Sequence, residues 1–394
     1  MKKRLGAAFD IGTTTVVLRL IEIETGKRLA TISGANAQAL YGADVTSRIR
    51  YCVENGHGKL TELIRDQIVS FIEKACISAG ADTDNIETIA FAANTIMQHL
   101  VAGYSPVDMG AAPFTPRSLF GEELPVWEGL PVAKNTRIYY TPAITAYVGG
   151  DITAGLLAAG FEDTISPAIY LDIGTNGEIV LKHDGIYYCC ATAAGPAFEG
   201  AEIKMGMVAE SGAIDHVKWD GKPVFSVIGK EKPRGLCGSG LLDTLAVLLD
   251  IGAVDRSGRL AQDKFWLTEE GEDGVYITAG DIRKLQLAKA AIAAGIQVLL
   301  HFAGISETDV KRLVLTGGFG NYMDLDSAVR IGLFPKRLLP IAEPLGNTAG
   351  EGAVLALNSL NVRERLKRIR EQCEYIELSS IAFFNNKFVE QMAF

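Results

Sequence analysis

Six cysteines in 394 residues leave little scope for cysteine-held metals or disulfide frameworks. Cys52, Cys76, Cys189, Cys190, Cys237 and Cys373 include no Cys-x-x-Cys pair and no spacing typical of a zinc or ferredoxin site. They read as reduced, mostly buried thiols. Long apolar runs are also lacking. The richest stretch, Ala288–Gly304, is interrupted by Lys289, Gln297 and His301, so no membrane-spanning helix is expected. Lys2, Lys3 and Arg4 imitate the start of a signal peptide, but Asp10 breaks the apolar run that would have to follow. Cationic excess is lacking too. Lys and Arg number 38 against 47 Asp and Glu, a net charge of −9 that disfavours a nucleic-acid partner. These absences predict a cytoplasmic protein that engages neither nucleic acid nor membrane.

What remains is compact and globular: 48% of residues are apolar and 22% are charged, with length enough for two cores. Two stretches read almost alike. Phe9-Asp-Ile-Gly-Thr-Thr-Thr15 runs into Val16–Ile23, and Leu171-Asp-Ile-Gly-Thr-Asn-Gly177 runs into Glu178–Leu181. Each continues through a Gly turn into a third apolar run, Arg28–Ser33 and Ile186–Ala191, the pattern of a three-stranded meander. An amphipathic helix follows at Lys59–Gly80 and again at Asp281–Gly304. Strands at Thr88–Ala92 and Val310–Leu315 come next, then short strands at Arg137–Tyr140 and Arg337–Ile341. Small-residue helices at Ala146–Ala159 and Asn347–Asn358 close each half. The order βββαβαβα thus occurs twice, which predicts an α/β protein with mixed sheets and a cleft between equivalent turns. The domains expected are 1–165, 166–360 and a C-terminal helix and tail, 361–394.

The paired motifs suit a nucleotide polyphosphate. Glycine lets backbone amides approach an anion closely, and hydroxyls add donors. Gly12, Thr13, Thr14 and Thr15 form one candidate phosphate-binding tip; Gly174, Thr175 and Asn176 form the other. Asp10 and Asp172, at strand ends, can hold Mg²⁺ through water and serve catalysis. Asp151, after Gly149 and Gly150, is the third catalytic candidate, or a helix-start acid favoured by the dipole. The Gly317, Gly318 and Phe319 turn, Gly238 and Ser239, and Glu202 are the adenosine candidates, with Glu199 an alternative to Glu202.

These phosphate and adenosine elements resemble the superfamily of acetate and sugar kinases, heat-shock ATPases and actin, which implies two actin-like (ribonuclease-H-like) domains. Further stretches are similar to the ATPase portion of the reductive activators of corrinoid proteins. They are Asn94-Thr-Ile-Met-Gln-His99, Ala112-Pro-Phe-Thr115, Tyr147-Val-Gly-Gly-Asp151, Ala194-Gly-Pro-Ala-Phe-Glu-Gly-Ala201, Arg234-Gly-Leu-Cys-Gly-Ser-Gly240, Gly346-Asn-Thr-Ala-Gly-Glu351 and Phe388-Val-Glu-Gln-Met-Ala-Phe394. The resemblance covers essentially the whole chain. It implies ATP hydrolysis coupled to the return of a partner corrinoid protein from Co(II) to Co(I), and it is compatible with a homodimer.

One departure stands out. Family members carry an N-terminal plant-type 2Fe–2S domain, whereas this sequence reaches its first hairpin at Asp10. The expectation is that this chain holds no iron–sulfur cluster and that a missing domain or separate protein delivers the electron. Two other readings stay open: a small-molecule kinase with an acceptor hydroxyl beside Asp151, and a nucleotide-gated binding module without turnover. Cys189, Cys190 and Cys237 lack the surroundings of a shared cluster, and His99 reads as a packed or capping side chain. The Gly103–Thr136 loop, with Phe114, Phe120 and Trp127, is a candidate docking face, and the basic run Asn361–Arg370 reads as a solvated helix face.

Overall fold

The computed structural model describes residues 3–164, 167–320, 323–357 and 359–394. The chain divides into two compact units, Met1–Thr164 with Asn347–Tyr375, and Ile165–Gly346 with Ile376–Phe394.

The first unit opens with the expected meander: Leu5–Ile11 (β1), Thr15–Glu22 (β2) and Arg28–Ala35 (β3), paired antiparallel. Runs of Val, Leu, Ile and Ala keep β1 and most of β2 buried on both faces, as central strands between helices require. Val45–Asn55 (α1) starts at a capping box in which the Ser47 amide donates to Asp44 and the Asp44 amide donates to Ser47. Gly58–Ala79 (α2) turns Leu60, Ile64, Ile68, Phe71 and Ile72 inward, the stripe its period predicts. Ile86–Ala93 (β4) lies parallel to β1, and Asn94 caps Thr95–Ala102 (α3) by accepting from the Met97 amide at 2.9 Å. Glu123–Leu124 (β5), Arg137–Tyr140 (β6) and Gly150–Ala158 (α4) complete this stretch, with sheet order β3-β2-β1-β4-β6-β5. The 103–136 loop turns its rings inward. Phe120 stacks on Tyr140 at 5.2 Å and Trp127 packs on Phe91 at 6.1 Å, so these rings are not the exposed anchors the sequence suggests.

The second unit repeats the plan. Ala168–Ile173 (β7), Gly177–His183 (β8) and Ile186–Thr192 (β9) form its meander. An insertion follows: Ala213–Trp219 (β10), Pro223–Val227 (β11), Gly235–Leu236 (β12), Gly238–Asp250 (α5), Lys264–Trp266 (β13) and Tyr276–Thr278 (β14). Ala279–Phe302 (α6) is long and apolar enough to cross a membrane, yet 78% of its most apolar window is buried inside the protein, so it reads as a core helix. Arg312–Thr316 (β15) lies parallel to β7 and leads through Gly317–Gly320 (α7) and Leu325–Arg330 (α8) to Ala342–Gly346 (β16), parallel to β15. The order β16-β15-β7-β8-β9 reproduces β6-β4-β1-β2-β3. The strand expected at Arg337–Ile341 is instead a 3₁₀ turn, Lys336–Ile341, and the strand begins at Ala342. Pro340 removes a strand donor there.

Asn347 then caps Thr348–Ala356 (α9), which packs on α4 in the first unit; Asn358 lies outside the described residues. A Cβ at Gly352 would stand 2.1 Å from the Ala154 carbonyl oxygen, so glycine lets the two helices meet backbone to backbone. Leu360–Glu371 (α10) also joins the first unit, through Arg363 to Glu123 and Arg365 to Glu162 at 2.6 Å. Arg363 is buried beneath α10, against the expectation of a wholly solvated basic face. Ala382–Glu390 (α11) belongs to the second unit. The expected domains 166–360 and 361–394 therefore differ from the packing, which divides the C-terminal third at Asn347 and Ile376. The boundary expected at 165/166 lies outside the described residues.

Candidate functional site

In the first unit the tip between β1 and β2 is tight: the Gly12 amide donates to the Thr15 carbonyl at 2.9 Å. Its outer carbonyls are held from three sides. Asn36 Nδ2 donates to Gly12 O at 2.9 Å, the Asn36 amide to Thr14 O at 2.8 Å, and Arg48 Nη2 to Thr13 O at 2.5 Å. Thr13 Oγ1 accepts from Asn94 Nδ2 at 3.2 Å, joining the tip to the start of α3. A Cβ at Gly149 would lie 2.4 Å from Asn94 Cα and 2.7 Å from Asp151 Oδ1, so that glycine brings the first turn of α4 close to the same turn. Asp10, Thr13, Asn94 and Asp151 thus gather at the C-terminal ends of β1 and β4, where ligands of α/β sheets bind.

Asp10 is half-buried at the end of β1. Desolvation pushes its carboxyl up to about 6, against the donor of Asn347 and the charge of Arg19, which both pull it down. Asn347 Nδ2 reaches Asp10 Oδ2 at 2.6 Å. Arg19, on the same face of the sheet, is 7% exposed, and its Nε and Nη1 find no hydrogen-bond acceptor. Its nearest ion-pair oxygen, Glu351 Oε1, is 3.6 Å away. Asp151 Oδ1 accepts from the Ile152 amide at 2.9 Å, the helix-start role.

The second unit builds its tip in the same way. The Gly174 amide donates to the Asn176 carbonyl at 3.0 Å, and Thr175 Oγ1 donates to Glu199 Oε2 at 2.9 Å. Glu199 therefore joins this tip, whereas Glu202 is exposed at φ +63°, its carbonyl accepting from Lys284. Thr316 pairs with Asp172 across β15 and β7, and its hydroxyl donates to Asp172 Oδ2 at 3.0 Å. Gly317 adopts φ +91°; a Cβ there would lie 2.4 Å from Ile173 O and 2.6 Å from Asp172 Oδ1. Gly318 opens onto free space. Phe319 does not offer a ring face, because it stacks on Phe198 at 5.2 Å and is 6% exposed. Gly238 and Ser239 form the first turn of α5 rather than a turn before it, with Gly238 pressed on Phe198 and Phe319.

Sequence reasoning gave no role to Arg19, Arg48 or Asn36; Thr316, which opens the Gly317–Phe319 turn, and Asn347, within the Gly346–Glu351 stretch, enter it only as parts of motifs, without the aspartate partners the structure gives them. Arg19 carried a signal, as a charge in an otherwise apolar strand. His99 is packed: its Nδ1 meets Thr95 O at 2.7 Å, the Arg117 amide donates to its Nε2 at 3.1 Å, and burial pushes it down to about 4. Cys189, Cys190 and Cys237 are buried, and among the described residues no group of three or more His, Cys, Asp or Glu gathers to hold a metal.

Similarity to known proteins extends over both units. Over 98% of this chain and 69% of its own length, the corrinoid activation enzyme RamQ of Eubacterium limosum is 36% identical. The [Co(II) methylated amine-specific corrinoid protein] reductase of Methanosarcina barkeri is 25% identical over 99% of this chain and 77% of its own length. A solved structure of a reductive activator for corrinoid,iron-sulfur protein matches all of this chain with a TM-score of 0.90 and 36% identity; the chain spans 66% of it. The family models for the RACo middle region and for the C-terminal domain of RACo, the ASKHA domain, match residues 5–164 and 166–394, and the chain belongs to this family.

Proposed function

We propose that the chain is the ATP-binding and ATP-hydrolysing part of a reductive activator of corrinoid proteins. The observation that carries this reading is the agreement of the whole chain, 36% identical at a TM-score of 0.90, with a reductive activator. Two glycine tips, each preceded by a strand-end aspartate, supply the local chemistry. In this reading the backbone and side-chain donors of Thr13, Thr14, Thr15, Thr175 and Asn176 bind phosphate oxygens, while Gly12 and Gly174, whose own amides close the two tips, keep the turns tight. Gly318 offers bare backbone to the nucleoside, with Gly317 beside it and Gly238 and Ser239 at the start of α5, and Glu199 takes the role first given to Glu202.

Asp10 suits a water-bridged Mg²⁺. Its carboxyl is desolvated and held by one amide donor, so an added cation would offset the burial that raises it to about 6. Asp172, oriented by Thr316, is the second such carboxylate. When bound, Mg²⁺ would neutralise charge on the transferring phosphoryl group. In this reading Asp151, at the start of α4, orients the attacking water.

The coupled reaction moves one electron from an iron–sulfur donor, on another domain or chain, to the Co(II) of a partner corrinoid protein. Two-state nucleotide chemistry can drive such a step only by binding the partner differently before and after hydrolysis. The test is ATP hydrolysis by the purified chain with and without a corrinoid protein poised as Co(II). Stimulation by the Co(II) form that vanishes in Asp10→Ala or Asp172→Ala supports the reading. Equal turnover with and without several such partners overturns it, and a phosphoryl acceptor would then be sought among metabolites.

A further inference from the structure

Arg48 is the least expected charge in the first unit. It sits on α1 with no exposed surface, and its hydrogen-bond partners are all neutral: Gly42 O at 3.1 Å, Gln38 Oε1 at 3.0 Å, Met97 Sδ at 3.1 Å and Thr13 O at 2.5 Å. Its seat is built for it, since a Cβ at Gly42 would fall 2.9 Å from Arg48 Cγ. Burial pushes its guanidinium down to about 10, against the more distant charge of Asp44, which pulls it up, and it stays charged at neutral pH. A buried cation without an ion-pair partner costs stability, and proteins tolerate one where its field is used.

We propose that Arg48 is a positioning residue for nucleotide phosphates, its charge standing directly behind the Gly12–Thr15 tip. The proposal rests on reading that tip as a phosphate site. In a trans peptide the carbonyl and the amide point in opposite directions. Arg48 holds the Thr13 carbonyl, so the Thr14 amide is turned away from the guanidinium, and Asn36 holds the Gly12 carbonyl, so the Thr13 amide is turned away from Asn36. The cation polarises the 13–14 peptide along its own dipole and makes the Thr14 amide a stronger donor. An anion on the amide side meets aligned dipoles with a positive charge behind them, in surroundings that screen weakly. Asn94, on Thr13 Oγ1, fixes the tip from the flank. The ligand class that gains from this arrangement is polyphosphate, and a nucleoside without phosphates gains nothing.

The experiment titrates ATP and adenosine into the full chain and into Arg48→Gln, which keeps a donor and loses the charge. Arg48→Lys keeps the charge but cannot reach all four partners. The expected result is a fall of about tenfold in ATP affinity for Arg48→Gln, equal to about 1.4 kcal/mol, with adenosine affinity unchanged. Arg48→Lys should fall roughly threefold for ATP alone, and it decides the matter if the glutamine variant fails to fold. Parallel losses for ATP and adenosine, or ATP affinity unchanged in both variants, would overturn the proposal while leaving the nucleotide reading intact. Failure of the unaltered chain to bind ATP would remove both.

Discussion

Asn347 Nδ2 donates to Asp10 Oδ2 at 2.6 Å, across 337 positions of sequence, while Asn347 Oδ1 accepts from the Gly350 amide at 2.6 Å. One side chain therefore caps α9 and holds the aspartate at the end of β1. Asn347→Ala should lower stability by about 1 kcal/mol through the lost cap. It should also move the pH midpoint of Mg·ATP binding above about 6, because the lost donor favoured the carboxylate. Thermal melting and a binding–pH profile read the two effects separately, and an unmoved midpoint would show that the contact is only a cap.

Asp10 itself gives a pH dependence whose sign is fixed. Its folded value, about 6, lies above the ordinary aspartate value of 3.8, so the native state binds more protons than the unfolded state between them. This contribution is fully present below the unfolded value and is lost as pH rises through about 6. Melting of nucleotide-free protein and Asp10→Asn from pH 4 to 7 should therefore show the variant gaining relative stability as pH rises. A constant difference across that range would contradict it.

Arg19 pulls the Asp10 carboxyl down yet has two buried nitrogens without acceptors. Arg19→Met should raise the pH midpoint of Mg·ATP binding while changing folding stability by less than about 1 kcal/mol, since a buried guanidinium without full pairing stabilises little. A loss of several kcal/mol in chemical denaturation would instead make Arg19 a structural keystone linking β2 to α9.

Gly317→Ala tests the second unit. The new Cβ would meet Ile173 O and Asp172 Oδ1 at φ +91°, so the turn must shift and Asp172 with it. A stability loss of about 1–3 kcal/mol and a fall in ATP turnover exceeding that of Gly318→Ala, which meets open space, are expected in denaturation and steady-state assays. Equal effects at the two glycines would separate Asp172 from turnover.

Local pattern explains which of these features could be read in advance. The two Asp-Ile-Gly-Thr hairpins are contiguous and announce themselves by alternation and glycine; the α2 stripe is equally local. Asn347 and Arg48 act on residues far away in sequence, and nothing in their immediate neighbours marks a partner. Arg337–Ile341 misled because apolar spacing suggested a strand while Pro340 forbade one, and Pro344 hid the true edge strand beside it. Phe319 sits in a glycine turn, which suggested exposure, but its ring is claimed by Phe198.

The path of the chain after Gly346 carries a practical consequence. Because 347–375 fold with the first unit and 376–394 with the second, neither unit is a contiguous stretch of the gene. A fragment ending at 164 would leave α4 without the helix that rests on Ala154 and Asp10 without its amide. Recombination at the apparent midpoint would break both halves, so the two units must be inherited, expressed and permuted as one piece.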